Sequence, residues 1–379
     1  MTTNVTKYLQ YPRKTLTFFG IWPREHRTIL SEAYAIFIVC IQNLFLFFNG
    51  AYVYLMRGDL QAMSDASYIF FTQLALCFRA AGFYLARDSL KEALVMMDDD
   101  IFQAEDKYGK NCKTLFKFLI GGFLSTVTAW NVVALRSEER KYPYNEIWFP
   151  VDIEASPQYQ IAYVYEVLTM FMSAFLFLSM DTVTVATIIF TCAQLELLEE
   201  KSKKIKSLPW TLKISQKERQ EQVENNNKIL VDCIKHHQTI TRFLNQIQDM
   251  SSYPVFLQLC FTALIICVIG FRMIQDSPAN ASFYGILSYF ILILAQIYLY
   301  CWCGNELTER SEEFRNCLYK VPWYEQDAKF TRTLWIALQC TKKPLVFRIG
   351  GYVTLARATF VSLLRCSYSY FAVIQQANE

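Results

Sequence analysis

A chain of 379 residues in which 53% are hydrophobic, 16% aromatic and only 19% charged holds more apolar surface than a soluble core of that size absorbs. Its net charge of +3 gives no ground for a nucleic-acid partner, and its twelve cysteines, seven of them in or beside apolar runs, read mostly as small buried hydrophobes rather than a disulfide framework. No phosphate loop, G-x-S-x-G turn, H-E-x-x-H pair or paired-cysteine zinc spacing occurs, so neither catalysis, a metal nor another cofactor is expected.

Residues 1–32 contain Lys7, Arg13, Lys14, Arg24 and Arg27 together with Pro12 and Pro23, and no short apolar stretch followed by a small-residue cleavage site. They are expected to form an unprocessed cytoplasmic N-terminal segment. Apolar segments follow at 33–56, 63–86, 113–136 and 161–190, giving four transmembrane helices within 33–190. A helix needs about 20 apolar residues to cross the hydrocarbon layer. Arg79 in the second span and Asp181 in the fourth lie at similar depth, and a charge inside a bilayer generally has a partner or a polar surface. Two readings stay open: the two pair, or each faces a water-filled crevice by itself.

Residues 191–252 carry mixed charges at helical spacing from Glu196 to Lys206, which predicts that the flanking spans continue as helices into the cytoplasm. The adjacent His236 and His237 point in different directions on a helix and read as a solvated face, not a metal pair. Spans five and six occupy 253–303. Residues 304–350 are too patterned for a plain loop: Leu334, Trp335, Leu338 and Cys340 fall near one face of a short amphipathic helix that ends at Lys342, Lys343 and Pro344. The last span, 351–376, lies within a C-terminal unit of 351–379.

Seven apolar segments make this an all-α polytopic membrane protein of one domain. With the N-terminus inside, the cytoplasmic segments hold 27 of the 37 Lys and Arg and the opposite loops hold four, which sets the expected orientation. In the outer halves of spans two, three, four and six stand Tyr68, Phe71, Thr72, Thr126, Ala129, Trp130, Met170, Phe171, Ala174, Tyr284 and Ser288. Aromatic, thioether and small hydroxyl side chains of this kind suit an apolar ligand cavity with few polar groups, although helix packing or a lipid-facing surface accounts for any one of them.

The most specific stretch is 301–376. It contains, in order, Cys301 and Cys303 with Gly304-Asn305-Glu306-Leu307, then Trp323-Tyr324-Glu325-Gln326, Lys343-Pro344-Leu345, Gly350-Gly351-Tyr352 and Ser367-Tyr368-Ser369-Tyr370-Phe371. This series resembles insect odorant receptors. The resemblance implies a heteromeric, odorant-gated, nonselective cation channel of four subunits, built with a shared odorant receptor coreceptor in the plasma membrane of sensory neurons. It further implies a pore lined by the last helix, with a hydrophobic gate at Val373, Tyr370 one turn earlier and Gln376 at the outer mouth. The cytoplasmic segments would join as an anchor domain, to which Trp323, Tyr324, Glu325, Leu334, Trp335 and Leu338 are assigned. The ligand implied is a small volatile molecule, apolar or aromatic, and this chain the tuning subunit.

Three alternatives are weighed against that reading. A gustatory-receptor-like channel usually ends in Thr-Tyr, five apolar residues and Gln-Phe, whereas this chain has Ser369-Tyr370, four apolar residues and Gln375-Gln376. A G-protein-coupled receptor places its N-terminus outside, against the charge count, and its Asp/Glu-Arg-Tyr and Asn-Pro-x-x-Tyr signatures are missing. A secondary transporter shows related halves and Gly/Pro-broken spans, which are not evident.

Overall fold

The computed structural model describes residues 4–23, 28–102, 106–136, 147–150, 156–208, 215–275 and 281–378. In chain order the helices are α1 (Asn4–Phe18), α2 (Ile29–Leu55), α3 (Leu60–Leu85), α4 (Arg87–Met97), α5 (Asp106–Arg136), α6 (Gln158–Ser202), α7 (Gln216–Gln275), α8 (Ala281–Lys320), α9 (Ala328–Cys340) and α10 (Arg357–Asn378). Side-chain caps set several starts. The Asp59 carboxylate accepts from the amides of Gln61 and Ala62, and Asp327 accepts from Phe330 at 2.9 Å, satisfying donors that the first helical turn leaves open.

Six helices, α2, α3, α5, α6, α7 and α8, are long and apolar enough to cross a membrane. The seventh expected span is α10, whose 22 residues include Arg357 and Arg365. It starts at Arg357 rather than at 351, because Arg348–Ile349 and Val353–Thr354 pair antiparallel around Gly350 and Gly351, both at positive φ. Three residues join the strands, and the turn closed by the Tyr352 amide on the Ile349 carbonyl has the two glycines at its centre, in backbone that a Cβ would strain. Helices α6, α7 and α8 contain 45, 60 and 40 residues. At about 1.5 Å per residue each is much longer than a bilayer is thick, so all three project beyond it as a helical extension.

Helix α6 is the axis of the bundle. From Leu176 to Ala193 its side chains are buried on nearly every face, as expected of a helix surrounded by others, and it packs on α1, α5, α7 and α8. Helix α3 lies along α7, and at Gly82 the two are tightly packed: a Cβ there would come within 2.4 Å of the Pro254 ring. Pro254 is itself inside α7, where it removes one backbone donor and exposes an apolar ring for α3 to pack on.

The N-terminal segment is not a plain leader to the first span. Its helix α1 inserts Tyr8, Leu9 and Leu16, all essentially inaccessible, against α5 and α6, with Tyr8 edge-on to Phe190 at 5.2 Å. It bends at Leu9, where φ is −114° and ψ 17°, and Pro12 supplies the reason, having no N–H for the carbonyl one turn back. The histidine pair is also not a solvated face. His236 and His237 are buried in the extension, the first between Lys201 and Gln194, the second stacked on Phe314 at 5.6 Å.

Helix α9 buries Phe330, Leu334 and Ala337 within its own subunit, one turn apart along a single stripe, and Leu338 is half-buried beside them. Trp335 and Cys340 are on other faces and exposed, so the expected stripe of Leu334, Trp335, Leu338 and Cys340 is corrected. Period 3.6 separates Leu334 from Trp335 by about 100°.

Candidate functional site

Three aromatic rings meet in the half of the bundle remote from α1. Tyr68 of α3 lies 6.5 Å from Trp130 of α5 and 5.7 Å from Tyr289 of α8, and Trp130 is 5.9 Å from Tyr289, measured between ring centroids. Tyr68 and Tyr289 are buried, while Trp130 is half-buried. The indole fits because α8 has Gly285 facing it: a Cβ there would stand 2.6 Å from the Trp130 Nε1. Thr72, one turn along α3 from Tyr68, donates its hydroxyl to the Tyr68 carbonyl at 2.7 Å and lies 2.5 Å from the Tyr289 phenol. Phe71 stacks on Phe261 of α7 at 6.2 Å, extending the aromatic surface to a further helix. Above the cluster the Arg272 guanidinium covers the Tyr68 ring at 5.6 Å and pairs with Asp65 at 3.0 Å.

Of the residues chosen from sequence, the structure thus joins Tyr68, Thr72 and Trp130 directly. Thr126, Met170 and Ala174 are buried, and Phe171 and Ser288 half-buried, on the same helices. Two are corrected. Ala129 and Tyr284 are exposed, the latter by 61%, and point away from the bundle. On α8 the inward stripe is Ile286, Tyr289, Ile293 and Ile297; Tyr289 is one position from the expected Ser288, a rotation of about 100°, and Ile286 two from the expected Tyr284. Tyr289 was legible only through that stripe.

Two to three turns deeper, Arg79 and Asp181 settle the open question by pairing at 3.1 Å. The guanidinium also donates to Gln258 Oε1, to the Met180 carbonyl at 3.1 Å, to Thr184 Oγ1 at 3.0 Å and to the Tyr300 hydroxyl at 2.7 Å. Asp181 accepts from Tyr300 at 2.8 Å, from Gln258 at 3.3 Å and from Gln296. All of these residues are buried, and they come from α3, α6, α7 and α8. An ion pair at this depth persists because nearly every oxygen and donor has a partner; one missing partner would leave a desolvated charge. A second polar link, Gln73 to Ser173 to Gln42, each 2.8 Å, ties α3, α6 and α2 beside the aromatic cluster.

Helix α10 packs on α7 and α8 by one face only. Ser367 donates to the Ala263 carbonyl at 3.2 Å, and Phe360 meets Tyr298 edge-on at 5.6 Å. Val361, Arg365, Tyr368 and Tyr370 are exposed on the remainder. Val373 and Gln376 belong to the same helix, and their side chains lie outside the described residues. In the extension Glu325 accepts from the Leu208 amide at 2.7 Å and from the Ser207 hydroxyl, and so fastens the segment that follows α6 within the subunit. Trp323, Tyr324 and Trp335 instead border an open surface groove. His236 is displaced down to a pKa of about 4, first by burial, then by the Lys201 ammonium and by His237.

Comparison with known proteins agrees with this architecture. The family model described as 7tm Odorant receptor matches residues 59–368. Odorant receptor Or1 of Anopheles gambiae is 22% identical over 95% of this chain and 93% of its own. Odorant receptor 10 of Aedes albopictus is 24% identical over 68% of this chain and 65% of its own. Among solved structures, the insect olfactory receptor OR5 from Machilis hrabei, in complex with eugenol, superposes with a TM-score of 0.80 over 98% of both chains at 15% identity, a likeness of fold. With a family match across most of its length, this chain, an all-α multi-pass membrane protein and a receptor rather than an enzyme, belongs to the 7tm odorant receptor family.

Proposed function

We propose that this chain is the ligand-binding, tuning subunit of an odorant-gated nonselective cation channel, assembled with the odorant receptor coreceptor as a tetramer in the plasma membrane of sensory neurons. The observation that carries the reading is mechanical. Helix α8 contributes Tyr289 to the aromatic cluster and Gln296 and Tyr300 to the buried network, and with α7 it bears α10. A change at the cluster therefore reaches α10 through one continuous helix.

In this mechanism a small apolar or aromatic volatile molecule enters among α3, α5, α6 and α8, and its rings compete with those of Tyr68, Trp130 and Tyr289. Occupation favours the open state only by its difference in affinity between the two states. Helix α10 lines the pore, with Tyr370, Val373 and Gln376 towards its outer end, and an apolar ring there stops ions because it cannot replace their hydration. Cations pass once that ring widens and wets. The exposed face of α10 suits contact with neighbouring subunits and with the pore. The groove at Trp323, Tyr324 and Trp335 suits the anchor, whereas Glu325, Leu334 and Leu338 act inside the subunit. The N-terminus and the helical extension lie on the cytoplasmic side, and lipid surrounds the apolar outer faces of the spans.

The test is whole-cell current in G-protein-blocked cells expressing this chain, the coreceptor, or both, challenged with volatile aromatic and aliphatic compounds. Fast cation current evoked only with both chains present is the expected result. Current that disappears with the G-protein block, or slow flux coupled to a gradient, would overturn the reading.

A further inference from the structure

The hydroxyl hydrogens at the aromatic cluster can be assigned one by one. Thr72 has a single hydrogen, and it is given to the Tyr68 carbonyl at 2.7 Å. Either oxygen could donate across the contact between Thr72 and Tyr289; the assignment that keeps both of the Thr72 contacts has the phenol give its hydrogen to Thr72 Oγ1. Tyr289 is then left with an oxygen whose lone pairs accept and whose hydrogen is committed. Beside it stands Trp130, an indole that is a donor only. Its N–H makes no hydrogen bond to the described residues, and the indole is half-buried, with Gly285 of α8 against its Nε1 edge.

From this pattern we infer that the site selects small molecules bearing a hydroxyl group, with the hydroxyl donating to the Tyr289 oxygen and accepting from the Trp130 indole N–H. An ether, ester or ketone of the same shape accepts only. It satisfies Trp130 and leaves the Tyr289 lone pairs desolvated against its own, and an unmade buried hydrogen bond costs more than a made one gains. Thr72 is a positioning residue here: it acts by holding the phenolic hydrogen away from the guest. The inference rests on the proposed placement of the ligand at this cluster.

The experiment compares benzyl alcohol with benzyl methyl ether, and cyclohexanol with cyclohexyl methyl ether, on the full chain expressed with the coreceptor. The readout is the potency ratio of alcohol to ether within each pair, which a general loss of function does not move. In the unmodified chain the alcohol is expected to be about threefold to tenfold more potent, the effect of one net hydrogen bond. Tyr289→Phe removes the acceptor and brings the ratio towards one. Thr72→Val frees the phenolic hydrogen to point at the guest, so the ratio shifts towards the ether, and Thr72→Ser restores the preference. If Tyr289→Phe, Thr72→Val and Trp130→Ala change potency for all four compounds alike, the cluster binds ligand and the hydroxyl rule is wrong. Should none of the three change any potency, the ligand sits elsewhere and the placement itself fails.

Discussion

The aromatic cluster and the charged network occupy successive levels of the same helices yet are held in opposite ways. Around Tyr68, Trp130 and Tyr289 the contacts are ring edges at 5.7 to 6.5 Å and one hydroxyl pair. Around Arg79 and Asp181 they are charged hydrogen bonds fixing four helices at once. Ring contacts lose little when a ring turns and another apolar molecule takes its place. A buried charge tolerates no such exchange. The first region can repack while the second holds its four helices together, which is what the proposed binding role requires.

The largest effect that separates the two is expected from Asp181→Ala. It leaves the Arg79 guanidinium buried without its counter-charge, a cost of about 3 to 5 kcal/mol, and surface biotinylation should show almost no delivered protein. Trp130→Ala, at the softer level, should instead be delivered and change the rank order of active compounds; delivery lost to the same degree would abolish the distinction. Gly82→Ala and Gly285→Ala sharpen it further by making one chemical change at two depths. At Gly82 the new methyl meets the stiff Pro254 ring at 2.4 Å, one turn from Arg79, and overpacking of that kind costs about 1 to 3 kcal/mol. At Gly285 the methyl meets the edge of the Trp130 side chain, which swings aside, so thermal stability in detergent should hold while ligand preference shifts. Equal melting temperatures for the two variants would contradict the contrast.

What the sequence made legible divides along the same line. The spans were readable because long apolar runs report the solvent directly, and Arg79 and Asp181 stood out because charge is costly at that depth. Their partners Gln258, Gln296 and Tyr300 were not singled out, since neutral polar residues in apolar runs are unexceptional until the helices are placed side by side. The cluster depended on rotation: Thr72 and Trp130 face inward, but on α8 the buried ring is Tyr289, one position from Ser288 and five from Tyr284, which faces outward. Helix α1 was hidden by Pro12 and by a basic face that outweighed Tyr8, Leu9 and Leu16. Trp335 was misplaced because a tryptophan looks like core, although its α9 neighbours Phe330, Leu334 and Ala337 carry the buried stripe.

A third level, the helical extension, gives the smallest effect and a different control. The His236 pKa lies at about 4, below the ordinary 6.5. Above 6.5 the ring is neutral both folded and unfolded and contributes no pH dependence. Between 6.5 and 4 the unfolded chain binds a proton that the folded one refuses, so stability falls as pH falls, and the slope ends once the folded ring also protonates. Between pH 7 and pH 5 the loss from this residue should be on the order of 1 to 2 kcal/mol, measured as a lower melting temperature of the detergent-solubilised protein. His236→Gln keeps a hydrogen-bonding group opposite Gln194 and should flatten most of that slope, leaving the share due to His237, whose pKa burial also lowers. An unchanged slope in the variant would place the acid sensitivity elsewhere and would mean that the buried imidazole takes its proton without disturbing Lys201 or Gln194.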